Sequence, residues 1–169
     1  YSGHDFGANN PCALFYAMNP GGEKYRTWVK PGPGEFQLLA TYLPGPGIGA
    51  FEHVQEWKKI VADRKFIKAV GGNKAGEGEV RDLYRVHGWP ISEPKIGHVE
   101  PRINRVIEAH QSNRIFIPRD QRAYLDEKRS FARELDAGGL PTMKIDDESS
   151  FHCMSAEQYI ISYFTPETA

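Results

Sequence analysis

The sequence predicts an α+β fold in which about four helices pack against a small sheet. Apolar residues recur at helical spacing in the later part of the chain, whereas the first 49 residues hold short β-prone segments between Pro- and Gly-rich turns. The 169 residues contain 40% hydrophobic side chains, which is enough for one core. We therefore expect a single domain over residues 1–169, with a Pro/Gly-rich arm at residues 1–49 and a helical body at residues 50–169.

Turn signals divide the first part of the chain into short segments. Residues 1–10 are rich in Gly and Asn and predict a loop or an edge segment, and residues 11–19 have a composition that suits a helix. Strands are predicted between the NPGG, KPGPGE and LPGPGIG turns, over residues 25–29 and 36–42. The repeated PGPG is not a phosphate-binding loop, because its prolines lack the N–H groups that such a loop needs.

The later part of the chain carries the helical pattern. Apolar residues three and four positions apart predict helices over residues 50–70, 79–86, 101–112 and 120–137. Short apolar runs predict strands over residues 114–117, 140–145 and 159–164. The acidic run IDDESSFHC lacks EF-hand spacing, so it predicts a solvated loop rather than a cation site.

Charge and hydropathy exclude some classes of partner. The 21 basic and 22 acidic residues leave a net charge of −1, so the sequence has no strong signal for nucleic-acid binding. No apolar run is long enough to span a bilayer, and no signal-peptide pattern is present. The chain begins with Tyr1 instead of Met, which favours a processed or secreted mature protein or an excised domain.

Two cysteines, Cys12 and Cys153, lie far apart in the sequence. They lack CxxC or finger spacing, so we expect no metal site and no cofactor. With Asn10 as N-cap and Pro11 in the first helical position, Cys12 would lie in the first turn of a helix. The helix dipole lowers the pKa of a thiol there and favours a nucleophile. A Cys12–Cys153 disulfide, which would exclude that role, stays open.

His87 and His98 flank a proline-containing segment, which places both imidazoles on or beside a loop. In an extended strand His98 and Glu100 would face the same side. These residues and Cys12 are the candidate catalytic set. Cys12 would attack a carbonyl carbon, His98 would take and return the proton, and helix-start amides would stabilise the oxyanion. The alternative is that His98 ends a strand, Glu100 caps the next helix, and neither of these two residues takes part in chemistry.

Two segments carry a resemblance to a known family. NNPCALFYAMN at residues 9–19 resembles the nucleophile segment of the peptidoglycan-cleaving amidase effectors of type VI secretion. HGWPISEPKIGHVE at residues 87–100 is similar to the segment that carries their catalytic histidine. The resemblance implies a papain-like amide hydrolase that acts on peptide or cell-wall substrate, with Cys12 and His98 in the catalytic roles.

Other functions stay open from the sequence. LYRV at residues 83–86 is similar to the segment that bears the NAD-binding arginine of ADP-ribosyltransferase toxins, and Glu157 would be their late glutamate. The Pro/Gly-rich arms and abundant aromatic residues also fit a non-enzymatic accessory subunit that binds protein partners in a larger assembly. A nuclease built on His87, His98 and Glu100 is a further alternative.

Overall fold

A computed structural model describes residues 1–7, 11–18 and 34–164 of the chain. In these ranges, six strands form one mixed sheet in the order β5-β4-β1-β2-β3-β6, and β7 and β8 form a separate hairpin. The strands are β1 (Ser2–Asp5), β2 (Cys12–Met18), β3 (Phe36–Tyr42), β4 (Ala69–Gly71), β5 (Ile91–Ser92), β6 (Ile115–Phe116), β7 (Arg133–Leu135) and β8 (Pro141–Ile145). The helices are α1 (Ala50–Val61), α2 (Gly78–Val86), α3 (Val99–Gln111), α4 (Arg122–Ser130) and α5 (His152–Phe164). The predicted α+β class, with helices on a small sheet, is confirmed.

Strand direction makes the two ends of the sheet different. β2 is antiparallel to both β1 and β3, while β4 and β5 run parallel to β1 and β6 runs parallel to β3. Every strand of this sheet except β2 therefore ends on the same side. We call this side the carboxyl edge, and the strands that end there finish at Asp5, Tyr42, Gly71, Ser92 and Phe116. In open α/β sheets, ligands bind outside the carboxyl ends of the strands.

The sheet separates two apolar cores. On one face, Trp57 of α1 and Trp89 pack with β-strand residues such as Phe15. On the other face, α5 covers the sheet and buries Ile160 against residues such as Leu14. Each large apolar side chain that is fully buried contributes on the order of 2–3 kcal/mol to stability, so these two layers hold the fold together.

A glycine in β1 lets α5 lie directly on the sheet. An added Cβ at Gly3 would lie 2.1 Å from the Ala156 carbonyl oxygen, so only glycine permits this approach. Successive side chains of a strand point to opposite faces. Gly3 and Asp5 therefore face α5, while His4 faces Trp57 on the opposite side, with ring centroids 4.5 Å apart. This alternation positions Asp5 under the start of α5.

The structure corrects two predictions near the amino terminus. Residues 1–10 were predicted as a loop or edge segment, but β1 lies in the middle of the sheet. The helix predicted over residues 11–19 is wrong, because Cys12–Met18 is strand β2. Helices cover both faces of β2, so its apolar residues do not alternate with polar ones, and such a run cannot be told from a buried helix by its pattern.

Later elements agree more closely. β3, α2 and α3 match their predictions to within two residues, and the strand predicted at residues 25–29 lies outside the described residues. The helix predicted over residues 50–70 ends at Val61, and Ala62 has a φ of 47°. The helix predicted over residues 120–137 ends at Ser130 and is followed by the hairpin.

The strand predicted at residues 159–164 is part of α5, which is buried on almost every side and so shows no apolar stripe. None of the helices in the described part of the chain combines the length and the apolar character that crossing a membrane requires.

Candidate functional site

Asp5, at the end of β1, meets the first residue of α5. The Nδ1–H of His152 donates to Oδ2 of Asp5 over 2.8 Å, and the two side chains are 18% and 19% exposed. This hydrogen bond raises the pKa of His152, against the lowering effect of burial. Whenever the imidazole is protonated, the pair is therefore a charge-assisted hydrogen bond that links the sheet to α5.

Glu127 of α4 lies at the same helix start. Its Oε2 accepts the backbone N–H groups of Cys153 (2.7 Å) and Met154 (3.3 Å). Burial raises the pKa of Glu127, and these hydrogen bonds oppose that rise. Because the first N–H groups of a helix have no partner within the helix, Glu127 acts as a cap for α5.

The segment after β4 completes this region. Arg81 is buried, and its Nη1 donates to the carbonyl oxygens of Gly71 (3.2 Å) and Asn73 (2.9 Å). The hydroxyl of Tyr159 in α5 donates to Oδ1 of Asn73 over 3.0 Å. We use the name strand-end site for the group of four residues that meet at this edge, Asp5, Asn73, Glu127 and His152.

The two cysteines lie beneath the strand-end site. Cys12 and Cys153 are free and buried, and their sulfur atoms are 3.5 Å apart. Burial raises the pKa of the Cys12 thiol well above its usual value, and the hydrogen bond with Cys153 raises it further. The lowered pKa expected from a helix start is therefore wrong. The thiol of Cys12 is part of the core, not a thiolate that faces a substrate.

The other predicted catalytic residues lie elsewhere. His98 is exposed just before α3. Glu100 lies in the first turn of α3, where its Oε1 accepts from Arg133 Nη2 over 2.6 Å. His87 lies at the end of α2, with its ring centroid 5.7 Å from that of Phe51. His98 and Glu100 both lie at the start of α3, whereas Cys12 lies in the core under α5. Any separate roles of these residues stay predictions.

Glu157, the candidate late glutamate, is buried inside the protein. Its carboxylate accepts from His110 Nε2 (3.0 Å), the Tyr124 hydroxyl (2.7 Å) and Lys128 Nζ (2.9 Å). Burial alone would raise its pKa, but the Lys128 ammonium and the hydrogen bonds lower it to about 2. We call these four residues the Glu157 cluster. A mostly apolar cavity of about 260 Å³ adjoins the cluster, between α3, α5 and the β7–β8 hairpin with the residues that lead into it.

Comparison with known proteins identifies the fold. No family model and no curated protein sequence matches this chain. The large terminase of a thermophilic bacteriophage superposes with a TM-score of 0.72 at 15% identity, over 95% of this chain and 38% of that one. The g2p (large terminase) nuclease domain from the bacteriophage SPP1 with bound Mn gives a TM-score of 0.67 at 13% identity, over 94% of this chain and 82% of that one.

The fold is that of phage large terminase nuclease domains, an RNase H-like fold. The nuclease domain of the P22 large terminase matches as well, with a TM-score of 0.65 at 15% identity over 94% of this chain and 77% of that one. The chain spans 38% of the length of the thermophilic-phage large terminase and most of each separate nuclease domain. At these identities the likeness establishes the fold and leaves the activity to be argued.

This finding overturns the functions inferred from short motifs. The resemblance to the peptidoglycan amidase effectors is wrong, because the chain has a terminase nuclease fold and its Cys12 lies in a buried strand. The fold also contradicts the other functions inferred from the sequence. These are amide hydrolysis of a peptide or cell-wall substrate, the ADP-ribosyltransferase toxin and the non-enzymatic accessory subunit. The arms that were to bind protein partners supply β1, β2 and β3 of the central sheet. The expectation that the partners are peptide, cell wall or protein is also corrected, because the structures that share this fold are terminase nucleases.

The matched SPP1 nuclease domain holds Mn, and the large terminase nuclease from thermophilic phage G20c, which matches with a TM-score of 0.61 at 16% identity, holds Magnesium. The strand-end site can therefore be tested for a fit to such ions. These cations take oxygen ligands, usually one or more carboxylates. Among residues 1–7, 11–18 and 34–164, no group of three or more His, Cys, Asp or Glu side chains could hold a metal ion. Asp5 is bound to His152, and Glu127 is bound to the start of α5. The Glu77 carboxylate, which lies beside Gly72, is bound to the N–H of Asn73. Because each of these carboxylates already has a protein donor, the described residues do not fit the ions.

Proposed function

We propose that this chain is a DNA-acting domain of the terminase nuclease type and that it forms one part of a longer protein. The observation that carries the proposal is the structural match to large terminase nuclease domains over 94% of the chain or more. The partial coverage of the thermophilic-phage large terminase supports the idea of a longer protein. In the proposal, duplex DNA binds along the carboxyl edge, where ligands of open sheets bind.

Basic residues at this edge support the proposal. Lys74 follows β4 and Arg119 follows β6, and both side chains are exposed. Because β4 and β6 both end at the carboxyl edge, these two charges lie on the side where DNA is proposed to bind. DNA affinity depends mainly on the number of phosphates that Lys and Arg neutralise, so a protein with a net charge of −1 can bind through a local group of cations.

The proposal is tested by binding of a labelled duplex, followed by fluorescence anisotropy at several salt concentrations. The wild-type chain is expected to bind, with an affinity that falls as salt rises. The double variant Lys74→Glu, Arg119→Glu is expected to bind at least about tenfold more weakly. The slope of log affinity against log salt concentration is expected to become shallower by about two, one for each phosphate contact.

A matched control carries the same charge change at the opposite side of the sheet. Arg64 and Lys65 are exposed between α1 and the start of β4, away from the carboxyl edge. The double variant Arg64→Glu, Lys65→Glu has the same net charge as the test variant and is expected to keep most of the affinity. Equal losses in both variants would contradict binding at the carboxyl edge, and no binding by the wild type at low salt would contradict the proposed function.

A further inference from the structure

The end of β4 lies directly beside Asp5. β1 and β4 are parallel, His4 pairs with Gly71, and the N–H of Gly72 donates to the His4 carbonyl oxygen over 3.1 Å. A carboxylate that shared a cation with Asp5 from the neighbouring strand would have to project from this strand end. Both positions at the strand end are glycine, so the strand itself offers no ligand at this point. The Glu77 carboxylate lies beside Gly72, but its Oε2 accepts from the N–H of Asn73.

The packing around these glycines leaves no room for a side chain. A Cβ at Gly71 would lie 2.3 Å from the His4 carbonyl oxygen, and one at Gly72 would lie 2.4 Å from the Phe6 ring. Gly72 also has a φ of 72°, a conformation that L residues rarely adopt. The glycines are therefore part of how β1, β4 and the following turn fit together, and an aspartate here would require the backbone to move.

The face of α5 above this edge also lacks a free carboxylate. His152, Ser155 and Tyr159 are three and four residues apart and so lie along one face of the helix. His152 binds Asp5 and Tyr159 binds Asn73, which places Ser155 between two side chains that reach this edge. Ser155 supplies only a neutral hydroxyl, a poor substitute for the carboxylates that Mg²⁺ prefers.

We infer that the strand-end site of this chain binds no catalytic divalent cation and that the domain holds DNA without cutting it. The DNA part of this inference rests on the proposed function. The Asp5 carboxylate takes the His152 imidazole as its partner and fastens the start of α5 to the end of β1. Two-metal cleavage of DNA would need carboxylates that are free to hold the cations. The carboxylates of Asp5, Glu77 and Glu127 at this edge are bound to protein donors instead.

The test uses the whole chain, so carboxylates outside the described residues, such as Glu23, are present in it. Mn²⁺ is titrated into the protein, and free Mn²⁺ is followed by electron paramagnetic resonance, with EDTA as the positive control for binding. The expected result is a Kd weaker than about 0.1 mM, equal in the wild type and in Asp5→Asn. With Mg²⁺ or Mn²⁺, the wild type is expected to nick plasmid DNA no faster than the Asp5→Asn protein does.

Two results would overturn the inference. One is Mn²⁺ binding tighter than about 0.1 mM that Asp5→Asn abolishes, and the other is DNA nicking that the same substitution abolishes. Tight binding that Asp5→Asn leaves unchanged would lie at another place on the chain and would leave the inference standing. If Asp5→Asn fails to fold, proton NMR of the wild type decides, because Mn²⁺ at Asp5 would broaden the ring signals of His152 and Mn²⁺ elsewhere would not.

The DNA-binding assay separates this inference from the proposed function. Binding of duplex DNA without Asp5-dependent nicking supports both. If the wild type does not bind duplex DNA, the proposed function is refuted. The Mn²⁺ titration then still tests whether the strand-end site binds a cation. DNA binding together with Asp5-dependent nicking supports the proposed function and refutes the inference.

Discussion

Two carboxylates are bound at α5, that of Asp5 at the first turn of the helix and that of Glu157 in the second turn. Their partners and their exposure differ. Asp5 at the helix start is 19% exposed and has His152 as its ion-pair partner. Glu157 is 1% exposed and accepts from His110, Tyr124 and Lys128. A carboxylate that is fully desolvated needs several fixed donors, whereas one at the edge of the protein keeps part of its hydration.

Along α5, one carboxylate is enclosed in the core and the other lies at the edge where DNA is proposed to bind. The Glu157 cluster joins α3, α4 and α5, and its carboxylate is already held by three donors from the protein. The strand-end site joins β1 to α5 where the sheet opens toward solvent, so the same kind of group lies within reach of a large ligand such as DNA. We expect substitutions in the cluster to lower stability more than substitutions at the site.

The largest effect is expected from Gly3→Ala, which disturbs both regions at once. The new Cβ would lie 2.1 Å from the Ala156 carbonyl oxygen and would push α5 away from β1. We expect the free energy of unfolding, measured by urea denaturation, to fall by about 3 kcal/mol or more. Gly78→Ala is the control, because a Cβ there meets nothing within 4 Å. If Gly3→Ala and Gly78→Ala lower the free energy of unfolding by amounts within about 1 kcal/mol of each other, the packing of α5 does not depend on this close approach.

The second effect is expected from Glu157→Gln, which breaks the buried cluster alone. Removing one partner of a buried ion pair costs about 3–5 kcal/mol, and the lower end applies here because the amide keeps some hydrogen bonds. The pKa of Glu157 is about 2 in the folded protein, below the usual 4.5. Its stabilisation is therefore present above pH 4.5 and is lost as the pH falls through about 2.

Urea denaturation of the wild type and Glu157→Gln across this acid range measures that contribution. The difference between the two proteins should shrink as the pH falls. Glu108→Gln is the control, since Glu108 is 55% exposed and lies 3.7 Å from Arg105. A difference that stays constant with pH would mean that the Glu157 charge does not stabilise the folded state.

The smallest effect is expected from His152→Ala at the strand-end site. The hydrogen bond to Asp5 raises the pKa of His152 above 6.5, and Glu127 also faces the imidazole. The stabilisation is therefore fully present below pH 6.5 and is lost as the pH rises through the folded-state pKa. We expect a loss of about 1 kcal/mol at acidic pH and less at alkaline pH, measured by urea denaturation.

Asp5→Asn provides the matched test of that pH dependence, because it removes the negative partner and keeps the shape of the side chain. In an Asp5→Asn background, His152→Ala should have nearly the same effect at both pH values. A pH dependence that survives would assign the stabilisation of the imidazolium to Glu127 instead.

The sequence located some elements and missed the site. The helical spacing of α2 and α3 was readable, because each buries one face and exposes the other. β2 and α5 were misassigned, because both are buried on nearly every side and carry no alternating or striped pattern. Asp5 and His152 were read as solvated or loop residues, since they are 147 positions apart and only the packing of α5 on Gly3 brings them together.

Cys12 shows why the short motif misled. A cysteine after Asn-Pro fits a helix start, and a helix start would lower the pKa of its thiol. In the fold, the same cysteine pairs with Asp5 across two antiparallel strands and lies under α5. Burial then raises its pKa, so the secondary structure and the chemistry inferred from the motif were wrong together.

By itself the sequence determined that the chain has enough apolar residues for a core and amphipathic helices where one face is exposed to solvent. It also supplied glycines where two backbone segments lie close together. Only the tertiary structure decided which strand is central, which carboxylate faces the open edge and which is enclosed. The physical reason is that local patterns record how a segment meets water, whereas a site is made by segments far apart in the chain that meet each other.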